Sequence, residues 1–165
     1  MLPARETWGE GVEILEQCIE EAVEEFMYGG LYCSEAILKA FSENLDLGLP
    51  PELYKIASGF AVGLGGAKCC CGCITGSAMV LSLATGRNSA DESEELVFSM
   101  TKQLHDEFKK RFKATCCRVL TKKGENVPED HIALCAKYVR GAAEITANLL
   151  KNQLKQCPKG NESPG

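Results

Sequence analysis

The sequence predicts an all-α protein, a compact single-domain bundle of about six to seven helices. Three observations predict it. Apolar residues recur at three- and four-residue spacing through every long segment, the period of one helix face. No segment carries the strict apolar–polar alternation of a half-buried strand. Glycine and proline punctuate the chain between those segments, with no internal repeat and no long linker.

The elements follow in order. Val12, Leu15, Ile19, Ala22, Val23 and Phe26 make one face of a first helix, which Gly29-Gly30 ends. A second helix is expected from about Cys33 to Leu45, with Ala36, Ile37, Ala40 and Phe41 inward. Leu49-Pro50-Pro51 connects to a third, about Glu52 to Val62, broken by Gly63-Leu64-Gly65-Gly66. A fourth starts among the cysteines and carries Met79, Val80, Leu81 and Leu83 before Gly86. Ser89 or Asp91 caps a long amphipathic fifth helix that ends near Lys113, and a short segment, Cys116 to Leu120, follows. Pro128 suits the first turn of a last helix, about Glu129 to Leu154, striped by Ile132, Cys135, Val139, Ala142, Ala143 and Leu149. The domain is expected over residues 1–157, with a disordered tail at 158–165.

Composition narrows the function. The chain has 165 residues, 45% hydrophobic and 25% charged, enough to bury a core without disulfides. Its net charge of −5 argues against nucleic acid, which calls for a basic face. No apolar run is long enough to span a bilayer, so membrane insertion is not expected. Met1-Leu2-Pro3-Ala4-Arg5-Glu6 lacks the pattern of a signal peptide, and a cytoplasmic location is expected. In that compartment ten cysteines point to metal binding or redox chemistry rather than to a disulfide framework.

Cys69, Cys70, Cys71 and Cys73 follow the glycine-rich break and open a helix. Backbone N–H groups at a helix start are unpaired and partly positive, so a thiol there loses its proton more easily. On one regular helix Cys70 and Cys73 would be neighbours, whereas Cys71 would point roughly 200° away from Cys73. Cys70–Cys73 forms a C-x-x-C pair, but without the preceding strand of a thioredoxin-like site, and Ile74 replaces the histidine of a haem attachment site. Cys33 also opens a helix, and Cys116-Cys117 lie beside Arg118, whose charge favours a thiolate. Taken alone, Cys18 and Cys135 read as core packing and Cys157 as an idle exposed thiol.

Other motifs carry little. Gly63-Leu64-Gly65-Gly66 is neither a Rossmann fingerprint nor a phosphate loop, so no nucleotide is expected; it reads as a tight turn with close backbone approach. His105 and His131 stand among charged residues and are expected to be solvent-exposed, as is the acidic face Glu20-Glu21 and Glu24-Glu25.

Taken together, Gly30-Leu31-Tyr32-Cys33-Ser34-Glu35-Ala36, Ala57-Ser58-Gly59-Phe60, Cys71-Gly72-Cys73-Ile74-Thr75-Gly76, Thr115-Cys116-Cys117-Arg118 and Cys135 resemble a family of redox-active proteins. That family, C_GCAxxG_C_C, is known by a C-G-A-x-x-G motif and four characteristic cysteines. The resemblance covers about residues 26–150. It implies that the four family cysteines are Cys33, Cys71, Cys117 and Cys135, which moves Cys135 from packing toward function. The family's alanine is Cys73 here, so Cys73 and Cys70 are candidate additional ligands. Related domains are fused to haem-binding regions in some cytochromes; this chain has no haem attachment motif, and no haem is expected.

Three chemistries fit such a set. The first is an iron–sulfur cluster for electron transfer, with Cys33, Cys71, Cys117 and Cys135 as ligands. The second is metal-free thiol–disulfide exchange, with Cys71 and Cys117, or Cys70 and Cys73, as the reacting pair. The third is a structural zinc site, ranked last because its ligands usually come from two local C-x-x-C knuckles. Redox chemistry implies a partner protein, which the sequence does not identify. A homodimer is expected if the apolar stripe of the first helix, which precedes the family-like region, needs a second copy to cover it.

Overall fold

A computed structural model describes residues 11–121 and 131–156 of the chain. Among them the protein is all helical. Helix α1 (Gly11–Met27) buries Leu15, Ala22 and Phe26 of the expected face, with Cys18 beside them; Ile19 and Val23 are half-buried, and Val12 is exposed. Helix α2 (Cys33–Asn44) is the most enclosed, with Cys33, Ser34, Ala36, Ile37, Leu38, Ala40, Phe41 and Ser42 all buried. Its first turn is fixed by Glu35, whose carboxylate accepts from the Tyr32 N–H at 2.8 Å. That is one half of a capping box, satisfying an N–H that the helix leaves free.

The expected third helix is a 3₁₀ helix instead, Pro51–Phe60, with Pro51 in its first turn. Ala57 is its one buried residue, so it has no apolar stripe to reward the wider α-helical turn. It is tied to α2 at two points. Ser34 Oγ donates to Ala57 O at 2.8 Å inside the core, and Ser58 Oγ donates to the Glu35 carboxylate. A helical turn, α3 (Ala61–Leu64), follows, but it is not regular: Val62 and Gly63 sit at φ 51° and 68°.

Helix α4 (Gly72–Thr85) begins inside the cysteine run and α5 (Glu95–Phe112) after it. The expected caps Ser89 and Asp91 lie outside α5, whose N-cap is Glu94. Lys113 closes α5 in a left-handed conformation. A single turn, α6 (Cys117–Leu120), leads toward the long α7 (His131–Gln156). Pro128, Glu129, Cys157 and the expected tail at 158–165 lie outside the described residues.

The helices pack around α2 and α4. Helix α1 lies on α2 and α7, and α5 packs on α4 and α7. Phe41, Phe108, Ile37, Leu38, Leu81, Leu104, Val80 and Val139 form the fully buried centre. Leu15, Ala22 and Phe26 of the α1 stripe are thus covered within the chain, whereas Val12 at its start is exposed. The crossing of α2 over α4 depends on Gly76, where a Cβ would stand 2.7 Å from Ser34 O and 2.9 Å from Ser34 Cα. Only glycine allows backbones to approach that closely. Among the described residues no helix is long and apolar enough to cross a membrane.

Candidate functional site

Five cysteines converge on one pocket of about 60 Å³. They are Cys33, Cys71, Cys73, Cys117 and Cys135; Phe26, Val62, Lys68, Thr121 and Tyr138 complete the lining. Cys33 is the first residue of α2, Cys71 the N-cap of α4, Cys73 a residue of its first turn, and Cys117 the first residue of α6. Cys135 comes from α7. Residues far apart in the chain are thus brought together by helix starts and one helix face.

The backbone from α3 into α4 makes this convergence. Val62, Gly63, Leu64, Gly65 and Gly66 all have positive φ, a left-handed run that reverses the chain. For branched Val62 such a conformation is strained, on the order of 1–3 kcal/mol, and the surrounding packing must hold it. Gly63 also meets the returning chain: a Cβ there would stand 2.9 Å from Cys69 N and 3.1 Å from Cys117 Sγ. The returning segment pairs with the approach to α6. Cys71 N donates to Thr115 O at 2.9 Å, Cys117 N to Cys69 O at 2.7 Å, and Arg118 N to Lys68 O at 3.0 Å. Cys70 and Cys116 oppose each other there as an isolated antiparallel bridge.

This pairing changes two expectations. Cys70 lies before α4 in the bridge, not on the helix, so it is no helical neighbour of Cys73. Cys71 caps α4 with extended backbone, φ −62° and ψ 132°. The 100°-per-residue rule does not apply across it, and Cys71 and Cys73 both reach the pocket.

The thiols interact as a chain. The Cys117 thiol, then the Cys73 thiol, hydrogen-bond to Cys71; with the N–H groups of Cys73 and Ile74 they hold its pKa well below the ordinary value, against burial. Cys33 is lowered chiefly by the Cys73 thiol and then by the N–H groups of Val62 and Ser34, against burial and the charge of Cys71. The donors move the other way. Donation to Cys33 and Cys71, then burial, raises Cys73 well above its usual value, and donation to Cys71 raises Cys117. Burial, with the charges of Cys33 and Cys71, pushes Cys135 up to about 11. A thiol has one proton, so Cys73 can serve only one of its two acceptors at a time. The pocket thus favours anionic sulfur at Cys71 and Cys33 and keeps protons on the thiols between and beside them.

The remaining cysteines stand elsewhere. Cys69 is exposed, and Cys70 and Cys116 are half-buried outside the pocket lining. The Cys116 thiol donates to Lys68 O at 3.1 Å. Cys18 is fully buried in the core, its thiol pushed up to about 12 by burial and then by Glu21. Cys157 and the side chain of His131 lie outside the described residues. His105 is exposed and contacts Asp106 at 3.0 Å. Glu20, Glu21, Glu24 and Glu25 face an open surface groove.

Sequence reasoning missed Tyr138 and Lys68, which line the pocket. The Tyr138 hydroxyl donates to Leu120 O at 2.8 Å and so fastens α7 to the turn that carries Cys117. Nothing in the local sequence signals this contact. Among the described residues, no group of three or more His, Cys, Asp or Glu side chains is placed to hold a metal ion. A single ion needs its ligands converging on one point, about 2.3 Å away for zinc and sulfur. A multi-iron cluster spreads its thiolates over several irons, and an all-sulfur donor set is the one such clusters take. The pocket's donors fit that chemistry in kind.

A model of the family described as "Putative redox-active protein (C_GCAxxG_C_C)" matches residues 31–149. The match spans most of the chain, and the chain belongs to that family. No curated protein and no solved structure matches it.

Proposed function

We propose that this member of the redox-active family carries electrons through an iron–sulfur cluster held by Cys33, Cys71, Cys117 and Cys135. The observation that carries this reading is the convergence of thiols from four separate helices on one pocket. Thiol exchange needs two sulfurs; gathering four from α2, α4, α6 and α7 meets the ligand number of a cluster. When bound, a cluster supplies one-electron chemistry at a potential set by burial and hydrogen bonds to sulfur. The chain's own part is to hold two of the four sulfurs, Cys71 and Cys33, toward thiolate; Cys117 and Cys135, whose pKa values are raised, would give up their protons on ligation. Cys71 is prepared by N–H groups at the start of α4, and Cys33 by those of Ser34 and Val62. Phe26, Val62 and Tyr138 line the pocket beside the sulfurs. Cys73, which stands where the family has alanine, lines the same pocket and is a candidate further ligand or proton donor. Cys70 lies off the lining and is not included.

The test is iron and acid-labile sulfide content, with a visible spectrum, of protein purified without oxygen. Both should be present in amounts matching one centre, with a broad brown absorbance that Cys71→Ser abolishes. Colourless protein lacking iron and sulfide overturns the reading.

A second reading rests on a different observation, the contact of the Cys117 thiol with a Cys71 held toward thiolate. In that reading Cys71 attacks a disulfide of a partner and Cys117 resolves the mixed disulfide, each protein thiol giving up one electron and one proton. Reversible loss of two titratable thiols, absent in Cys71→Ser, would support it.

A further inference from the structure

We infer that Cys70 and Cys116 form a second redox pair, an outer dithiol that closes to a disulfide outside the pocket. The inference does not depend on what the pocket holds.

The two residues are directly opposed in the antiparallel bridge. The bonds from Cys71 N to Thr115 O and from Cys117 N to Cys69 O lie on either side of them, not between them. That makes Cys70–Cys116 the non-hydrogen-bonded position, where Cα atoms stand about 4.5 Å apart. Disulfides span Cα separations from roughly 4.4 Å upward, so the backbone already satisfies the requirement that rejects most cysteine pairs. Both thiols are free and half-buried, open to a small oxidant. Closure requires the Cys116 thiol to give up its bond to Lys68 O.

Parity separates this pair from the pocket. Along extended chain, successive side chains point to opposite faces. Cys71 and Cys117 line the pocket, and their neighbours Cys70 and Cys116 do not. A disulfide between the outer two would join the segment carrying Cys71 to the segment carrying Cys117, fixing the spacing of two pocket sulfurs without consuming either.

The oxidant is a low-molecular-weight disulfide. One thiolate of the pair attacks a sulfur of that disulfide, whose S–S bond breaks and releases one thiolate. The second cysteine, having lost its proton, attacks the mixed disulfide and expels the other half. Two protein thiols are oxidised by two electrons, and one disulfide is reduced to two thiols that take up the two protons.

The test uses the full chain, isolated without oxygen and treated with oxidised glutathione. Free thiols are then blocked and the protein is cleaved with trypsin under non-reducing conditions. Cleavage after Lys68, Arg87, Lys113 and Arg118 places Cys70 in the fragment 69–87 and Cys116 in the fragment 114–118. The two fragments should appear joined in the parent and in Cys69→Ser, Cys71→Ser and Cys117→Ser. With Cys71→Ser also present, so that no Cys71–Cys117 disulfide can join the same fragments, the joined species should vanish in Cys70→Ser and in Cys116→Ser, with helical circular dichroism retained. A link that survives there, or that disappears in Cys71→Ser or Cys117→Ser alone, is not the Cys70–Cys116 disulfide and overturns the inference. Failure of the parent to form any link overturns it without a variant. Neither result alters the iron and sulfide measurement, so the two proposals fail separately.

Discussion

Gly72 lies against Cys33: a Cβ on Gly72 would stand 2.4 Å from Cys33 Sγ and 3.2 Å from Phe60 O. Four residues on, Gly76 lies against the backbone of Ser34. These glycines share one face of α4, and together they seat the start of α2 against it. The glycine spacing of the family motif is therefore a packing requirement that delivers Cys33 to the site.

The two positions should respond differently to alanine. At Gly76 the obstacles are Ser34 O and Cα, which cannot rotate away. Gly76→Ala should destabilise the fold by about 1–3 kcal/mol despite alanine's better helix propensity. At Gly72 the nearest atom is a side-chain sulfur. Gly72→Ala should displace Cys33 and change its alkylation rate, with a smaller loss in denaturant midpoint than Gly76→Ala. Equal losses at both sites, with Cys33 reactivity unchanged, would contradict this division.

Cys18 should make the protein sensitive to alkali. Its thiol is buried between α1 and its neighbours, and its folded pKa is raised to about 12, chiefly by burial. An unfolded cysteine ionises near 8.5, so above that pH the unfolded state gains from losing a proton that the folded state keeps. A raised folded pKa gives a contribution fully present below the unfolded value and lost as pH rises toward the folded one. Stability should fall between about pH 8.5 and about 12, and less steeply in Cys18→Ala. Urea midpoints of reduced protein at pH 7, 9 and 10 test it; parallel slopes for parent and variant would refute the assignment.

Much of this was legible in the sequence. The apolar faces of α1, α2 and α7 are written in three-and-four spacing: Leu15, Ala22, Phe26, Val139 and Ala142 are buried as that spacing requires, while Val12 and Ile132, in the first turns of α1 and α7, are exposed. The glycine-rich break was legible as a close approach, and Gly63 makes one. Its left-handed run was not, because Val62 and Leu64 carry no local signal for positive φ. The bridge between Cys70 and Cys116 was hidden for a related reason. It pairs two short stretches distant in the chain, neither long enough to show strand alternation. Without it, the cysteine run reads as the opening of a helix, whereas α4 begins only at Gly72, after Cys71 in extended backbone.

Ser34→Ala tests how α2 holds the 3₁₀ helix. The Ser34 hydroxyl is fully buried and donates to Ala57 O, the carbonyl of that helix's one buried residue. Removing the donor leaves a buried carbonyl without it, a loss of about 1–3 kcal/mol. The denaturant midpoint should drop accordingly, and amide exchange should speed up in Pro51–Phe60 more than in α5. Uniform acceleration would mean that the bond does not tie the two elements locally.

Tyr138→Phe isolates one hydroxyl at the edge of the pocket. The ring stacks edge-on to Phe112, with centroids 5.0 Å apart, and packs on Phe108 at 6.4 Å, so phenylalanine keeps the packing. What it removes is the bond to Leu120 O, which joins α7 to the single turn of α6. A one-turn helix has little stability of its own and depends on such outside contacts. The variant should lose about 1 kcal/mol of global stability. It should also free α6, raising the alkylation rate of Cys117 several-fold while leaving Cys18, buried in the core, unchanged. Cys117 reactivity that stays at the parent value would show that the backbone bonds to Lys68 and Cys69 hold this turn without help from α7.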